Sequence, residues 1–144
     1  MAVKKGSDRR FYLSSAQHAT NTWLDGEQTN SFNRSAETID VTDKSSEWAQ
    51  FIAGIRSATA DVTVNLDNDS TSAQHDLLES FHDGDTVYCF IGTLGTGSSS
   101  STPEEGDFFE AIITAISETN EKGGVSSRQL SLQVTGEPTH FPTL

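Results

Sequence analysis

The chain has 144 residues and a formal net charge of −12, a length that suits one domain spanning 1–144. Its apolar share is low, about 40% with glycine counted against a usual ~45–50%, so a thin core that leans on neighbours is expected. Between Ser57 and Glu121 there are thirteen acids and no Lys or Arg, the opposite of the basic footprint that stable binding to nucleic acid or anionic membrane requires.

Lys4, Lys5, Arg9 and Arg10 make the N-terminus positive, and residues 1–8 read as a flexible basic end. "RRFYLSS" (9–15) reads as a first strand, followed by a polar loop to about Asn33. "ETIDVT" (37–42) alternates, with Ile39 and Val41 on one face and Asp40 and Thr42 on the other. The rhythm then changes: Trp48, Phe51, Ile52 and Ile55 fall at i, i+3, i+4 and i+7, the spacing of one helix face. "ADVTVNLD" (60–67) alternates again, Val62, Val64 and Leu66 inward and Asp61, Thr63 and Asn65 outward.

"STSAQHDLLESFHDGD" predicts one helix, with N-cap candidates from Ser70 to Ser72, an apolar face of Leu77, Leu78 and Phe81, and Gly84 as its stop. "TVYCFIGTL" (86–94) is apolar on both faces, a covered strand in which the lone Cys89 is a small buried hydrophobe with no disulfide partner. "GTGSSSSTPEEGD" (95–107) predicts a flexible loop. "FFEAIITAISET" (108–119) and "RQLSLQVTG" (128–136) form a hairpin turning at Gly123 and Gly124, with Glu118 on the first strand and Gln133 and Thr135 on the polar face of the second. The fold class is mainly β: an antiparallel β-sandwich or partial barrel with one packed α-helix.

Catalytic and metal motifs fail when counted. Asp67, Asp69 and Thr71 begin like an EF-hand, but Ser72 and Leu78 occupy its Gly and Glu positions. His75 and His82 lack a third ligand. "GTLGTG" (92–97) leads into serines and acids rather than a helix, so no phosphate cradle is expected. Neither catalysis nor a metal or cofactor is expected, and residues 1–30 contain no signal-peptide core.

"AETIDVTDKSSEWAQFIAGIRSATADVTVNL", "LLESFHDGDTVYCFI" and "EAIITAISETNEKGGVSSRQLSLQVTGEPT", in that order, resemble the major tail tube proteins of long-tailed double-stranded-DNA bacteriophages and gene-transfer particles. The resemblance covers roughly residues 3 to 138 and rests on the succession of segments. It implies the sandwich-and-helix fold shared with contractile-tail and type VI secretion tubes, and hexameric rings stacked around a channel in the virion tail. The resemblance also implies assembly in the host bacterial cytoplasm around a tape-measure protein, contacts with tail-tip and tail-terminator proteins, and double-stranded DNA passing through without specific binding and without a membrane partner.

The acidity suits such a conduit and an acidic lumen is expected: Lys or Arg on its wall would capture phosphates, whereas carboxylates repel the DNA and keep it hydrated. Asp40, Thr42, Asp61, Thr63, Asn65, Glu118, Gln133 and Thr135 are therefore candidates to face the lumen. The resemblance makes residues 43–57 an inter-ring stacking loop in which Asp43, Lys44, Trp48, Phe51, Ile52, Ile55 and Arg56 meet a neighbour. The competing expectation for Trp48 is an internal turn covering the subunit's own core. Lys4, Lys5, Arg9 and Arg10 are candidates for charge contacts with a neighbouring subunit. Two alternatives stand beside this reading: an inner tube or completion protein of a contractile injection machine, and a soluble β-sandwich binding module. The module lacks an aromatic platform, the only tryptophans being Trp23 and Trp48.

Overall fold

The structure is a computed structural model and describes residues 9–14, 21–66, 72–94 and 103–142. Lys4, Lys5 and the basic end, like residues 95–102, lie outside the described residues. Seven strands form one sheet: β1 (Arg10–Ser14), β2 (Asn21–Trp23), β3 (Glu27–Asp40), β4 (Phe51–Asn65), β5 (Thr86–Leu94), β6 (Pro103–Thr119) and β7 (Ser127–Phe141), with helix α1 (Ala73–Asp83) between β4 and β5. Every pairing is antiparallel, in the order β2-β1-β5-β6-β7-β4-β3.

Alternation explains where the core lies. Ala58, Ala60, Val62 and Val64 of β4, Leu130, Leu132 and Val134 of β7, and Phe109, Ala111 and Ile113 of β6 all point to one side, where Val87, Cys89 and Ile91 of β5 join them. The sheet curls over this side until its ends meet. Phe32 of β3 packs on Phe109 of β6 at 5.0 Å between ring centroids, and Glu27 accepts a hydrogen bond from the Phe11 amide at 2.7 Å. The expected sandwich or partial barrel is thus a single sheet folded onto itself.

Helix α1 closes the core with Ala73 and Leu77. The Ser72 hydroxyl caps its N-terminus by accepting from the His75 amide, and Gly84 ends it in the left-handed conformation (φ 74°). Buried Gln74 ties the helix to the sheet by donating to the carbonyls of Asp25 and Asn65.

Three boundaries differ from the expectations. The region up to Asn33 contains β2 and the first half of β3; its polar residues suit edge strands, with buried Leu24 and partly buried Phe32 as apolar anchors. The loop expected at 95–107 ends by Pro103, because Gly92 opposite Gly106 lets β5 and β6 pair closely there. A Cβ on Gly92 would lie 2.1 Å from the Glu105 carbonyl oxygen. The loop expected at 43–57 is also shorter, since β4 starts at Phe51 and the connection covers 41–50.

Candidate assembly surfaces

Beyond Ala58, β4 leaves β7 and continues paired to β3 alone, since the β4–β7 ladder begins at Thr59 and Gln133. The two strands project as a ribbon with Asp40 opposite Phe51 and Ile39 opposite Ile52. An extra residue in β4 near Gly54 and Ile55 makes a bulge, where Ala36 pairs with Arg56 but Thr38 with Ala53. The helical spacing is therefore met by a loop residue, Trp48, and three residues of a bulged strand.

All of its large apolar side chains are exposed. Trp48 is 83% exposed, Ile55 77% and Ile52 52%, and Ile39, Val41 and Phe51 are exposed as well. Trp48 lies outside its own subunit's core, which removes the internal-turn reading. An isolated two-stranded ribbon is at best marginal in water, and six exposed apolar residues on one arm mark an interaction surface.

The tip of the arm is ordered by its own polar groups. Val41 donates to the Gln50 carbonyl at 2.9 Å, and the Thr42 hydroxyl accepts from the Gln50 amide at 2.7 Å. Asp43 accepts from the Ser45 hydroxyl at 2.6 Å and the Ser45 amide at 2.9 Å. Hydrogen bonds from Ser45, then Ser46, hold the Asp43 carboxyl below the usual range, and those from Thr42 do the same for Asp40. A carboxylate with a lowered folded-state pKa supports the turn above the ordinary Asp range and loses that role as pH falls through the lowered value. Asp43→Ala is expected to speed amide exchange at Ser45 at neutral pH with no change in melting temperature. Unchanged exchange would show that the turn does not depend on the carboxylate.

A second surface covers the face of the sheet opposite the core. Pairing lays its residues out in rows: Ile112, Gln133, Thr59 and Asn33; then Ser131, Asp61 and Ser31; then Ser117, Gln129, Thr63 and Thr29. Asn65 and Ser127 continue it at one end, Thr135 and Glu110 at the other. Asp61 accepts from the Ser131 hydroxyl at 2.9 Å. Apart from exposed Ile112, these rows of described residues carry hydroxyls, amides and the carboxylates of Asp61 and Glu110, with no Lys or Arg.

Of the eight lumen candidates, Asp61, Thr63, Asn65, Gln133 and Thr135 share this face. The other three do not. Glu118 opposes Arg128 on the core side, where Arg128 donates to it at 2.7 and 3.0 Å. Counting alternately along β3 from Ser31 through Ser35 brings Ile39, not Asp40, onto the polar side. Asp40 and Thr42 instead build the arm's tip.

The acids of the cation-free stretch are scattered. Asp76, Glu79 and Asp83 lie exposed on α1, and buried Asp107 binds Arg34 and, at 2.8 Å, His140. Arg9 forms an ion pair with Glu105 of its own chain at 3.0 Å, and the Arg10 guanidinium lies 3.8 Å over the Trp23 ring. Of the stacking candidates, Asp43, Lys44 and Trp48 stand on the loop, and Phe51, Ile52, Ile55 and Arg56 on β4.

Alternation in β7 puts Gln129 and Ser131 on the polar face beside Gln133 and Thr135, although they are not among the lumen candidates; sequence reasoning missed Thr59 and the β3 members Thr29, Ser31 and Asn33. Alternation in "TNSFNRS" was the available signal.

A family model described as phage tail tube protein matches residues 3–140. A chain in the tail of an empty gene transfer agent particle, computed with helical refinement and C6 symmetry, is similar in structure, with a TM-score of 0.77, 20% identity, and coverage of 96% of this chain and 98% of that one. A chain in the virion of a native gene transfer agent particle gives a TM-score of 0.77 and 21% identity over the same shares. The SPP1 tail tube gives 0.71 and 16% over 93% and 77%. Among curated proteins no sequence relative matches.

Proposed function

The chain belongs to the phage tail tube protein family and is a structural subunit of the virion tail; from that premise we propose that its polar sheet face lines the bore and its β3–β4 arm joins successive rings. The rings are six-fold, as in the gene transfer agent tail of the same fold. The observation that carries the proposal is the pairing of two unlike surfaces on one sheet: a broad face without a cation, and an apolar ribbon standing free of the core.

A bore for DNA has to avoid capture. Duplex DNA presents one phosphate charge per ~1.7 Å of axis, and each cation placed near it adds salt-dependent affinity. Hydroxyls and amides hold water on the wall, and Asp61 and Glu110 add repulsion at two positions per subunit. The bore is therefore mainly neutral and only mildly acidic, since other acids stand elsewhere: Asp76, Glu79 and Asp83 on α1, and Asp107 bound to Arg34 and His140. Within a ring, fourteen-residue β3 is an edge strand, and pairing with a neighbour's strand satisfies its open backbone groups. The role is structural, without catalysis.

The test is thiol labelling. In assembled tubes Thr63→Cys is expected to react with a small maleimide but to resist a bulky polyethylene-glycol maleimide, whereas Glu79→Cys on the helix side reacts with both. Equal bulky labelling at the two positions would contradict the inward placement.

A further inference from the structure

The arm's tip stands at one end of the β3–β4 hairpin, and an open groove of about 420 Å³ stands at the other. The turn at Asp25 and Gly26 is seated there against the last residue of β4, with the Asn65 amide donating to the Gly26 carbonyl at 2.8 Å and Gln28 donating to the Asn65 side chain at 2.7 Å. Arg10, Trp23, Asp25, Glu27 and Gln28 line the groove. One face of the Trp23 ring is covered by the Arg10 guanidinium, yet the residue remains 54% exposed. Burial raises the Glu27 carboxyl, although the Phe11 amide, Asn30 and Arg10 favour its ionised form.

We propose that this groove receives the arm tip of a second copy of the chain, with Trp48 seated beside the Arg10–Trp23 pair. This deepens the axial contact proposed above and rests on it. Trp48 is the most exposed of the large apolar side chains described, and exposed Lys44 and Glu47 flank it. The groove offers a match for each: an aromatic and guanidinium surface for the indole, Asp25 for Lys44, and Arg10 for Glu47. A fourteen-residue strand at ~3.3 Å per residue separates tip from groove by roughly 45 Å, so a subunit cannot fill its own groove. Two unlike surfaces at opposite ends make a head-to-tail contact that repeats without closing on itself along the axis.

The experiment uses the full chain carrying Glu47→Cys and Gln28→Cys, assembled under reducing conditions and then oxidised. Cys89 is fully buried, and burial pushes its thiol far above the ordinary range, so it does not compete. Non-reducing gels are expected to show a ladder of dimers, trimers and longer species. A ladder from Glu47→Cys with Val125→Cys instead, or from neither pair, overturns the groove while leaving visible tubes intact. Absence of tubes from the unsubstituted chain overturns both this contact and the reading beneath it. If the cysteine variants fail to assemble, the charge pair decides: Lys44→Glu is expected to suppress assembly and Asp25→Lys in the same chain to restore it. Failure to restore overturns the proposal.

Discussion

Trp48→Ala is expected to abolish tube formation while leaving the melting temperature of the free subunit within ~2 °C of the parent. The two effects separate because Trp48 is exposed in the subunit and, in the proposed tube, is covered by a neighbour. A large apolar side chain moved from water into a contact contributes ~1.5–3 kcal/mol. Over the six copies of the proposed ring that becomes roughly 9–18 kcal/mol per ring junction, enough to decide whether rings stack. Ile52→Ser, which removes the partner of Ile39 on the same ribbon, is expected to weaken assembly by a smaller step. A fall of ~10 °C or more in subunit melting, with tubes still forming, would show that the arm serves its own fold.

Cations on the polar face form the second large effect. Thr63→Lys is expected to leave tubes normal in electron micrographs but to lower genome delivery by at least ~10-fold, with partial recovery at higher salt. The position repeats in every subunit, so one substitution lines the whole bore with ammonium groups. Thr63→Gln, similar in reach but neutral, is expected to deliver normally. Normal delivery by the lysine variant would show that DNA does not travel along this face.

How far these surfaces were legible in the sequence depended on whether neighbours set the outcome. Val62, Val64, Leu130 and Leu132 announced their strands because alternation is local and their burial enforces it. The helix was legible in Ser72, Leu77 and Gly84 for the same reason. The arm was legible as an anomaly of apolar residues, but its form was not: a bulge at Gly54 and Ile55 gave helix-like spacing to a loop and a strand. Asp40 and Glu118 misled because alternation within one strand does not say which face the next strand makes common. That depends on register, as Glu118 opposite Arg128 shows. The polar beginning of β3 carried little signal because an edge strand needs few apolar anchors.

The most direct test is a helical reconstruction, by electron cryo-microscopy, of tubes grown from the purified chain. The expected map shows stacked rings around an open bore, with the rows containing Thr59, Asp61, Thr63, Gln129 and Gln133 on its wall and each Trp48 buried against the adjacent ring. Rings with helix α1 facing the bore, or Trp48 left in solvent between rings, would contradict it.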